Sequence, residues 1–235
     1  MSAMDNETLE PSMAKTRHSE KCFMLSGPAG DIEARVTPPV AGSPHHAVAV
    51  ICHPHPLHDG SLNNKVTATL TRTLSAMGIA VVRFNFRGVG ASAGDFAAGI
   101  GETEDLLAVI RQTQELYPGR ELWLAGFSFG AYIALRAARF VAVDRLITVA
   151  PPVNLYDCSD IPSPDCPWLL IQGTADEVVP YKDVLKWATR RYPAPHTVYL
   201  EGVGHYFHGA LNTLRSIITD SITTPAASRR AVELI

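Results

Sequence analysis

Short, continuously apolar segments alternate with segments of helical spacing along most of this chain. Apolar residues three or four positions apart, such as Val66, Leu70 and Leu74, predict helices between the apolar segments. Because strands covered by helices on both faces are apolar throughout, the alternation predicts a mostly parallel sheet with helices on both sides. Six segments are predicted strands of this sheet: 48–52, 79–82, 122–125, 146–150, 168–171 and 197–200. Two more, near residues 22–37, are predicted to form an antiparallel hairpin at its edge, which makes eight strands.

The chain has 235 residues, a length at which an α/β protein often forms one domain. Residues 1–20 mix polar and small side chains without periodicity, and residues 223–235 are similar, so both segments are predicted to be loose tails. We therefore expect a single domain over residues 21–222. No internal repeat and no low-complexity linker divides it.

Charge and cysteine usage exclude several classes of partner. The formal net charge is -3 with 18% charged residues, which offers no basic face for nucleic acid. No apolar run approaches the roughly 18 residues of a membrane span. The four cysteines contain no CxxC pair, and the N-terminal segment does not resemble a secretory signal, so we expect reduced thiols and a cytoplasmic location. Pairing of Cys158 with Cys166 stays open.

One serine lies where a predicted strand turns into a predicted helix. The sequence Gly126-Phe127-Ser128-Phe129-Gly130 follows the apolar segment 122–125 and precedes an alanine-rich stretch. Such a turn lifts the serine hydroxyl out of the backbone and points free N–H groups of the helix start toward it. The motif is short, and a turn that serves only strand-to-helix packing is the alternative. The context favours Ser128 as a catalytic nucleophile.

An acid and an imidazole follow two later strands. Asp176 comes after the segment 168–171, and His205 comes after the segment 197–200. Because ligands bind beyond the carboxyl ends of parallel strands, Asp176 and His205 are predicted to join Ser128, with His205 as general base and Asp176 as its orienting acid. Glu177 is the rival acid, interpreted as solvated, and a turn-forming or capping role is the alternative for Asp176.

His208 is predicted to lie in the last helix with a structural role.

The loop after the segment 48–52 has the sequence His53-Pro54-His55-Pro56-Leu57-His58 and is predicted to bind an oxyanion. Prolines have no N–H, so only His55 and Leu57 can donate among residues 54–57. We favour the backbone N–H of His55, paired with that of Phe129.

The same histidines permit metal chemistry as an alternative. The histidines at 53, 55 and 58 have the spacing of the histidines in the HxHxDH zinc motif. The match is incomplete, because Leu57 stands where that motif has Asp. A structural role is the preferred interpretation for His53 and His58.

Arg87 lies in the loop after the segment 79–82 and could bind a substrate carboxylate. We favour a structural role, in which Arg87 ties this loop to its neighbours by backbone hydrogen bonds.

These motifs resemble those of the α/β-hydrolase superfamily over residues 22–220. They are GFSFG at Ser128, GTADEVVP at Asp176 and GVGHYFHG at His205, with CHPHP at 52–56 and NFRGVGAS at 85–92. The last two are similar to a small lidless bacterial subgroup related to dienelactone hydrolases and described as predicted serine hydrolases or esterases. The resemblance implies the α/β-hydrolase fold. It also implies the nucleophile, acid and base named above, with backbone donors near His55 and Phe129.

Two features bear on the substrate. Only about fifteen residues separate the strands at 146–150 and 168–171, so no cap domain fits there. Dienelactone hydrolases use a cysteine nucleophile, whereas this chain has serine. The sequence therefore predicts a serine hydrolase that cleaves small carboxylic esters through an acyl-enzyme and needs no cofactor or metal. A metal-dependent hydrolase and a non-catalytic binding protein on the same fold are the alternatives.

Overall fold

The computed structural model of the protein describes residues 20–224 and 232–235. Residues 1–19 and 225–231, which make up most of both predicted tails, lie outside the described residues. The elements in chain order are β1 (Lys21–Gly27), β2 (Gly30–Thr37), β3 (Ala47–Cys52), α1 (Lys65–Ala76), β4 (Ala80–Phe84), α2 (Ile100–Leu116), β5 (Glu121–Phe127), α3 (Phe129–Ala137), β6 (Arg145–Val149), β7 (Trp168–Gly173), α4 (Tyr181–Ala188), β8 (His196–Leu200), α5 (Leu211–Thr223) and β9 (Val232–Leu234).

The strands form one sheet in the order β1-β2-β4-β3-β5-β6-β7-β8-β9. β1 pairs with β2 and β2 pairs with β4 in antiparallel fashion, and the strands from β4 to β9 pair in parallel. The six predicted parallel strands and the antiparallel edge hairpin are confirmed. The parallel strands share one direction, so their carboxyl ends meet at one edge of the sheet.

The sheet has nine strands in the described part of the chain, one more than the eight that the sequence predicts. The additional strand is β9, which lies within the predicted C-terminal tail and pairs with β8. The backbone of Ile235 bonds to Glu201 and Tyr199 at 2.7 and 2.9 Å. The prediction of a tail is wrong for this short segment, because three residues carry too little periodicity to indicate a strand.

Helices cover both faces of the sheet, as predicted. On one face, α2, α3 and α4 place side chains such as Leu106, Ile133 and Val184 against the sheet. On the other face, α1 and α5 contribute Leu70 and Leu214. The connection from β6 to β7 contains no helix or strand, so no cap domain covers the carboxyl edge.

All four cysteines are free thiols, so Cys158 and Cys166 do not pair. Burial disfavours the thiolate form and raises the pKa of Cys158 to about 12 and that of Cys166 to about 11. Both thiols are therefore protonated near neutral pH and have little nucleophilic character. Of the helices described, none combines the length and the apolar character that crossing a membrane requires.

Candidate active site

Ser128 lies at the sharp turn between β5 and α3 and has φ 54° and ψ -121°. Its backbone N–H donates to the carbonyl oxygen of Val149 at 2.8 Å, which anchors the turn to β6. The serine itself, and not a flanking glycine, takes the positive φ at this turn. Left-handed backbone is costly for a residue with a side chain, so the surrounding structure must hold Ser128 in place.

The two flanking glycines are required for a different reason, which is close approach of the backbone. A Cβ atom on Gly126 would lie 2.2 Å from the carbonyl oxygen of Gly130, and one on Gly130 would lie 2.4 Å from that of Cys52. Both distances are shorter than any real Cβ contact, so neither position accepts a side chain. The helix start is thereby pressed against the end of β3, where the loop that begins at His53 leaves the sheet.

The structure brings Ser128, His205 and Asp176 together at the carboxyl edge of the sheet. His205 Nε2 lies 3.0 Å from Ser128 Oγ, and His205 Nδ1 lies 2.8 Å from Asp176 Oδ2. All three residues are buried, with 8%, 4% and 7% of Ser128, His205 and Asp176 exposed. When Nδ1 keeps its proton and donates it in a hydrogen bond to the carboxylate, Nε2 is free to accept the serine proton, which is the arrangement that activates a hydroxyl as a nucleophile.

Asp176 accepts hydrogen bonds on both carboxylate oxygens. Oδ1 accepts the backbone N–H groups of Val178 and Val179 at 2.9 and 2.7 Å, and Oδ2 accepts Gln172 Nε2–H at 3.0 Å beside the bond from His205. Asp176 therefore stabilises its own loop and also contacts the imidazole. The turn-forming role and the contact with His205 are compatible in one side chain.

Sequence reasoning missed Gln172, although one signal pointed to it. It is a polar residue within β7, whose other side chains are apolar, and it is fully buried. A buried amide in such a strand needs partners, and Gln172 donates to Asp176 and to the carbonyl oxygen of Val179 at 3.0 Å.

Two residues near His205 differ from their predicted settings. Glu177 is exposed, as expected, but it is not merely solvated, since its Oε2 accepts the backbone N–H of His205 at 3.3 Å. His208 lies in the turn before α5 rather than in the helix, which begins at Leu211. It is exposed, and its ring lies 5.9 Å from that of Tyr206.

The loop after β3 lies beside the helix start that carries Phe129. The ring centroids of His55 and Phe129 are 5.1 Å apart. The backbone N–H of Leu57 donates to His55 Nδ1 at 3.1 Å, so Leu57 is not free to bind an oxyanion. The other candidate donor of the loop is the backbone N–H of His55. Among the described residues, no acceptor bonds to the backbone N–H of His55 or of Phe129. Two unpaired donors thus belong to adjacent segments at the carboxyl edge.

Comparison with known proteins identifies the family of this chain. A family model described as serine aminopeptidase, S33, matches residues 43–164. A lidless α/β serine hydrolase from Xanthomonas campestris is 41% identical, with a TM-score of 0.83 over 86% of this chain and 93% of its own. The chain belongs to the α/β-hydrolase superfamily.

Two further relatives are similar to most of this chain. An α/β serine hydrolase homologue from Coxiella burnetii is 42% identical, with a TM-score of 0.83 over 86% of this chain and 97% of that chain. An uncharacterized protein of Rickettsia prowazekii is 34% identical over 210 residues, which cover 85% of this chain and 87% of the relative. The similarity therefore extends across nearly the whole described domain.

In this α/β hydrolase, His53 is not available as a metal ligand. It is fully buried, its Nδ1 bonds to the carbonyl oxygen of Pro54 at 2.6 Å, and its Nε2 accepts the backbone N–H of Phe86 at 3.0 Å. Burial lowers the pKa of His53 to about 4, so the ring is neutral at pH 7. Since both ring nitrogens are occupied, His53 cannot share a metal ion with His55 and His58.

No group of three His, Cys, Asp or Glu side chains in residues 20–224 and 232–235 is arranged to hold a metal ion. His53 instead joins the loop after β3 to the loop after β4, which is the structural role predicted for it. His58 is exposed, and its ring lies 4.7 Å from that of His55. Burial and the neighbouring His58 lower the pKa of His55.

Arg87 binds a protein carboxylate and is not free for a substrate. Its Nε and Nη2 donate to the two carboxylate oxygens of Asp105 at 2.9 and 2.8 Å, and its backbone N–H also reaches Asp105 at 3.1 Å. Arg87 does tie its loop to a neighbouring element, as predicted. Its partner, however, is a buried carboxylate on α2 and not a backbone group. Sequence spacing alone gave no reason to pair residues 87 and 105.

Five rings, which we call the aromatic wall, form a continuous group that includes the residue after Ser128. The ring centroid of Phe129 lies 5.8 Å from that of Phe96 and 5.1 Å from that of His55. Tyr156 lies 5.6 Å from Phe129 and stacks on Tyr132 at 4.5 Å. These residues come from four separate parts of the chain, so sequence reasoning did not find the wall. Phe129 and Tyr132 are buried, whereas Phe96, His55 and Tyr156 are half-buried, so these three rings form the accessible part of the wall.

Proposed function

We propose that this serine hydrolase cleaves small carboxylic esters through an acyl-enzyme formed on Ser128. The observation that carries the proposal is the continuous set of contacts from Asp176 through His205 to Ser128 Oγ, at 2.8 and 3.0 Å. A buried hydroxyl that donates to an oriented imidazole has the geometry of an activated nucleophile.

In the acylation step, Ser128 Oγ attacks the ester carbonyl carbon while His205 Nε2 takes the hydroxyl proton. Asp176 keeps the Nδ1 proton in place and stabilises the imidazolium that forms. The negative charge on the carbonyl oxygen is held by the backbone N–H groups of Phe129 and His55, which have no other acceptor among the described residues. His205 then gives its proton to the leaving alkoxide, and the alcohol departs.

Deacylation reverses the roles with water in place of the alcohol. His205 takes a proton from water as the water oxygen attacks the acyl carbon. The tetrahedral intermediate collapses, the Ser128 oxygen leaves and recovers its proton from His205, and the acid is released. The enzyme returns to its starting state, and no cofactor enters either step.

The buried carboxylates favour an ester over a peptide with a free amino terminus. An aminopeptidase must recognise a charged α-amino group, for which a carboxylate is the natural partner. Glu102 accepts two backbone N–H groups at 2.7 Å, Asp105 binds Arg87, and Asp176 binds His205. All three are occupied within the described residues, whereas the aromatic wall suits an uncharged, apolar acyl group.

The test is hydrolysis of p-nitrophenyl esters from acetate to octanoate by the wild type and by Ser128→Ala. We expect Ser128→Ala to lose about 10⁴-fold or more of kcat. The matched control is Ser216→Ala, an exposed serine on α5, which should keep the wild-type rate. Equal rates for the wild type and Ser128→Ala would refute the nucleophile assignment.

Two further measurements separate the alternatives. A fluorophosphonate probe should label the wild type and not Ser128→Ala, whereas a non-catalytic binding protein would not be labelled at all. A metal-dependent hydrolase would lose activity with a chelator and resist the probe. p-Nitroanilides of the same acyl groups test amide cleavage, and hydrolysis of anilides faster than esters would contradict the ester preference.

A further inference from the structure

A cavity of about 590 Å³ lies between the β6–β7 connection and α4, and we call it the α4 cavity. Val153 and Asn154 line it from the connection, and Trp187 lines it from α4. None of Ser128, Asp176 and His205 is among its lining residues. Cavities of this size hold small molecules, so the α4 cavity is large enough for a ligand of its own.

The charges that line the α4 cavity are mostly positive. Lys186, Arg190 and Arg191 stand against one carboxylate, Asp183. Lys186 and Arg190 are exposed, and neither forms an ion pair with any residue in the described ranges. Unpaired cations on a concave surface focus the electrostatic potential and attract anions.

Arg191 is a half-buried cation without a carboxylate partner in the described part of the chain. Two of its guanidinium nitrogens donate to the backbone carbonyl oxygens of Cys158 and Ile161, which fixes the β6–β7 connection. Asp160, an acid within this connection, is already paired with Arg139 at 2.9 Å. The charge of Arg191 therefore adds to that of Lys186 and Arg190 instead of being cancelled.

Trp187, which lines the α4 cavity, has an unpartnered indole donor. Its indole Nε1 is buried and has no hydrogen-bond acceptor among the described residues. The guanidinium carbon of Arg191 lies 4.3 Å from the centre of the Trp187 ring, which holds the two side chains together. A buried N–H without an acceptor is costly, and an oxyanion in the cavity with a small rearrangement of the indole would supply one.

We propose that the α4 cavity binds a small anion of the phosphate type. Lys186 and Arg190 bind the oxyanion directly, Arg191 supplies additional positive charge, and Trp187 donates from its indole. An excess of two positive charges matches the dianionic state of phosphate near neutral pH. The site is separate from Ser128 and does not depend on the proposed esterase activity.

The experiment is a titration of the full chain with inorganic phosphate at constant ionic strength and near neutral pH, followed by calorimetry and by tryptophan fluorescence. We expect saturable binding with Kd of about 1 mM or tighter. The double variant Lys186→Ala/Arg190→Ala should weaken binding by about tenfold or more. Both side chains are exposed, so the variant should unfold at the wild-type temperature.

The control is Lys182→Ala/Arg215→Ala, which removes two exposed cations that do not line the α4 cavity. It lowers the net charge by the same amount and should leave phosphate binding unchanged. Absence of saturable binding to the wild type up to about 20 mM phosphate overturns the proposal, as does equal weakening in both double variants. Ester hydrolysis should be the same in all three proteins, so failure of this proposal is distinguishable from failure of the esterase assignment.

Discussion

At Ser128 the backbone conformation that exposes the hydroxyl is one that residues with a side chain rarely adopt. The surrounding structure holds it through the bond to Val149 and through the contacts that exclude a Cβ at Gly126 and Gly130. Strain of this kind costs of order 1–3 kcal/mol and is kept only where the rest of the fold determines the conformation. The turn that exposes the Ser128 hydroxyl is therefore a cost to the stability of the fold.

This strain predicts that Ser128→Gly is more stable than Ser128→Ala although both are inactive. Glycine relieves the positive φ but loses more backbone entropy on folding, so we expect a net gain of about 1 kcal/mol over alanine. For a chain of this size that corresponds to a rise in Tm of about 2–4 °C. Thermal unfolding of the two variants side by side measures it, and an equal Tm would show that the turn is unstrained.

Gln172 is the residue whose role can be isolated most cleanly. Its Nε2–H shares Asp176 Oδ2 with His205, so Gln172→Leu removes a competing donor and some of the restraint on the carboxylate. We expect kcat for esters to fall by about tenfold with KM within about twofold of the wild type, because the carboxylate that orients His205 is then less firmly held.

Gln112→Leu is the matched control for this measurement. Gln112 is a half-buried glutamine on α2 that bonds to Ser26 of β1, far along the sheet from Asp176. It should leave both kcat and KM unchanged. A Gln172→Leu enzyme with the wild-type kcat would mean that Gln172 serves only the packing of β7.

Contacts between strand-end loops hold the site together at the scale of the elements. His53 connects the end of β3 with the segment after β4, and Arg87 connects that segment with α2. Both side chains are bound by protein partners. The loops at the carboxyl edge therefore behave as one connected unit, which keeps the backbone donors of Phe129 and His55 side by side.

The lowered pKa of His53 predicts that the connected loops at the carboxyl edge become less stable in mild acid. Its pKa is about 4 in the folded protein and 6.5 in its ordinary state, so the unfolded chain binds the proton first as the pH falls. The His53 contribution to the free energy of unfolding is present above pH 6.5 and declines by about 3 kcal/mol as the pH drops towards 4. Urea unfolding at a series of pH values measures this decline.

The free energy of unfolding of His53→Gln should decline less over that pH range than that of the wild type, even if the variant is less stable at every pH. His46→Gln is the control, because His46 is exposed and its removal should leave the pH dependence as in the wild type. Identical slopes for His53→Gln and the wild type would show that the ring is not held neutral by the fold.

The C-terminal strand completes the sheet at the scale of the whole molecule. β9 covers the outer edge of β8, the strand that leads to the loop with His205, and the backbone of Ile235 bonds to Glu201 at 2.7 Å. A chain that ends at residue 231 exposes this edge. We expect it to lose about 1–2 kcal/mol of stability, with kcat/KM for esters within about twofold of the wild type.

Thermal unfolding and ester hydrolysis of the shortened chain test this prediction. The control is Glu233→Ala, which removes the 3.3 Å contact between Glu233 and His196 but keeps the backbone pairing of β9. It should unfold close to the wild-type temperature. An unchanged Tm in the shortened chain would mean that β9 contributes nothing to the sheet.

Sequence patterns predicted the parts of this molecule that depend on local chemistry. The alternation of apolar segments and helical spacing led to the parallel sheet, and the position of Ser128, Asp176 and His205 after separate strands placed them at one edge. These predictions succeed because parallel strands have a common direction, so residues far apart in the chain meet wherever strands end.

Other features were decided only by tertiary contacts. The pairing of Arg87 with Asp105, the donation from Gln172, the aromatic wall and the cations around Trp187 all join segments whose spacing carries no periodic signal. A side chain on one loop finds its partner through the packing of several elements at once, and no local pattern encodes that packing. The sequence by itself thus determined the sheet and the edge at which Ser128, Asp176 and His205 meet, whereas the folded chain decided which groups hold these three side chains in place.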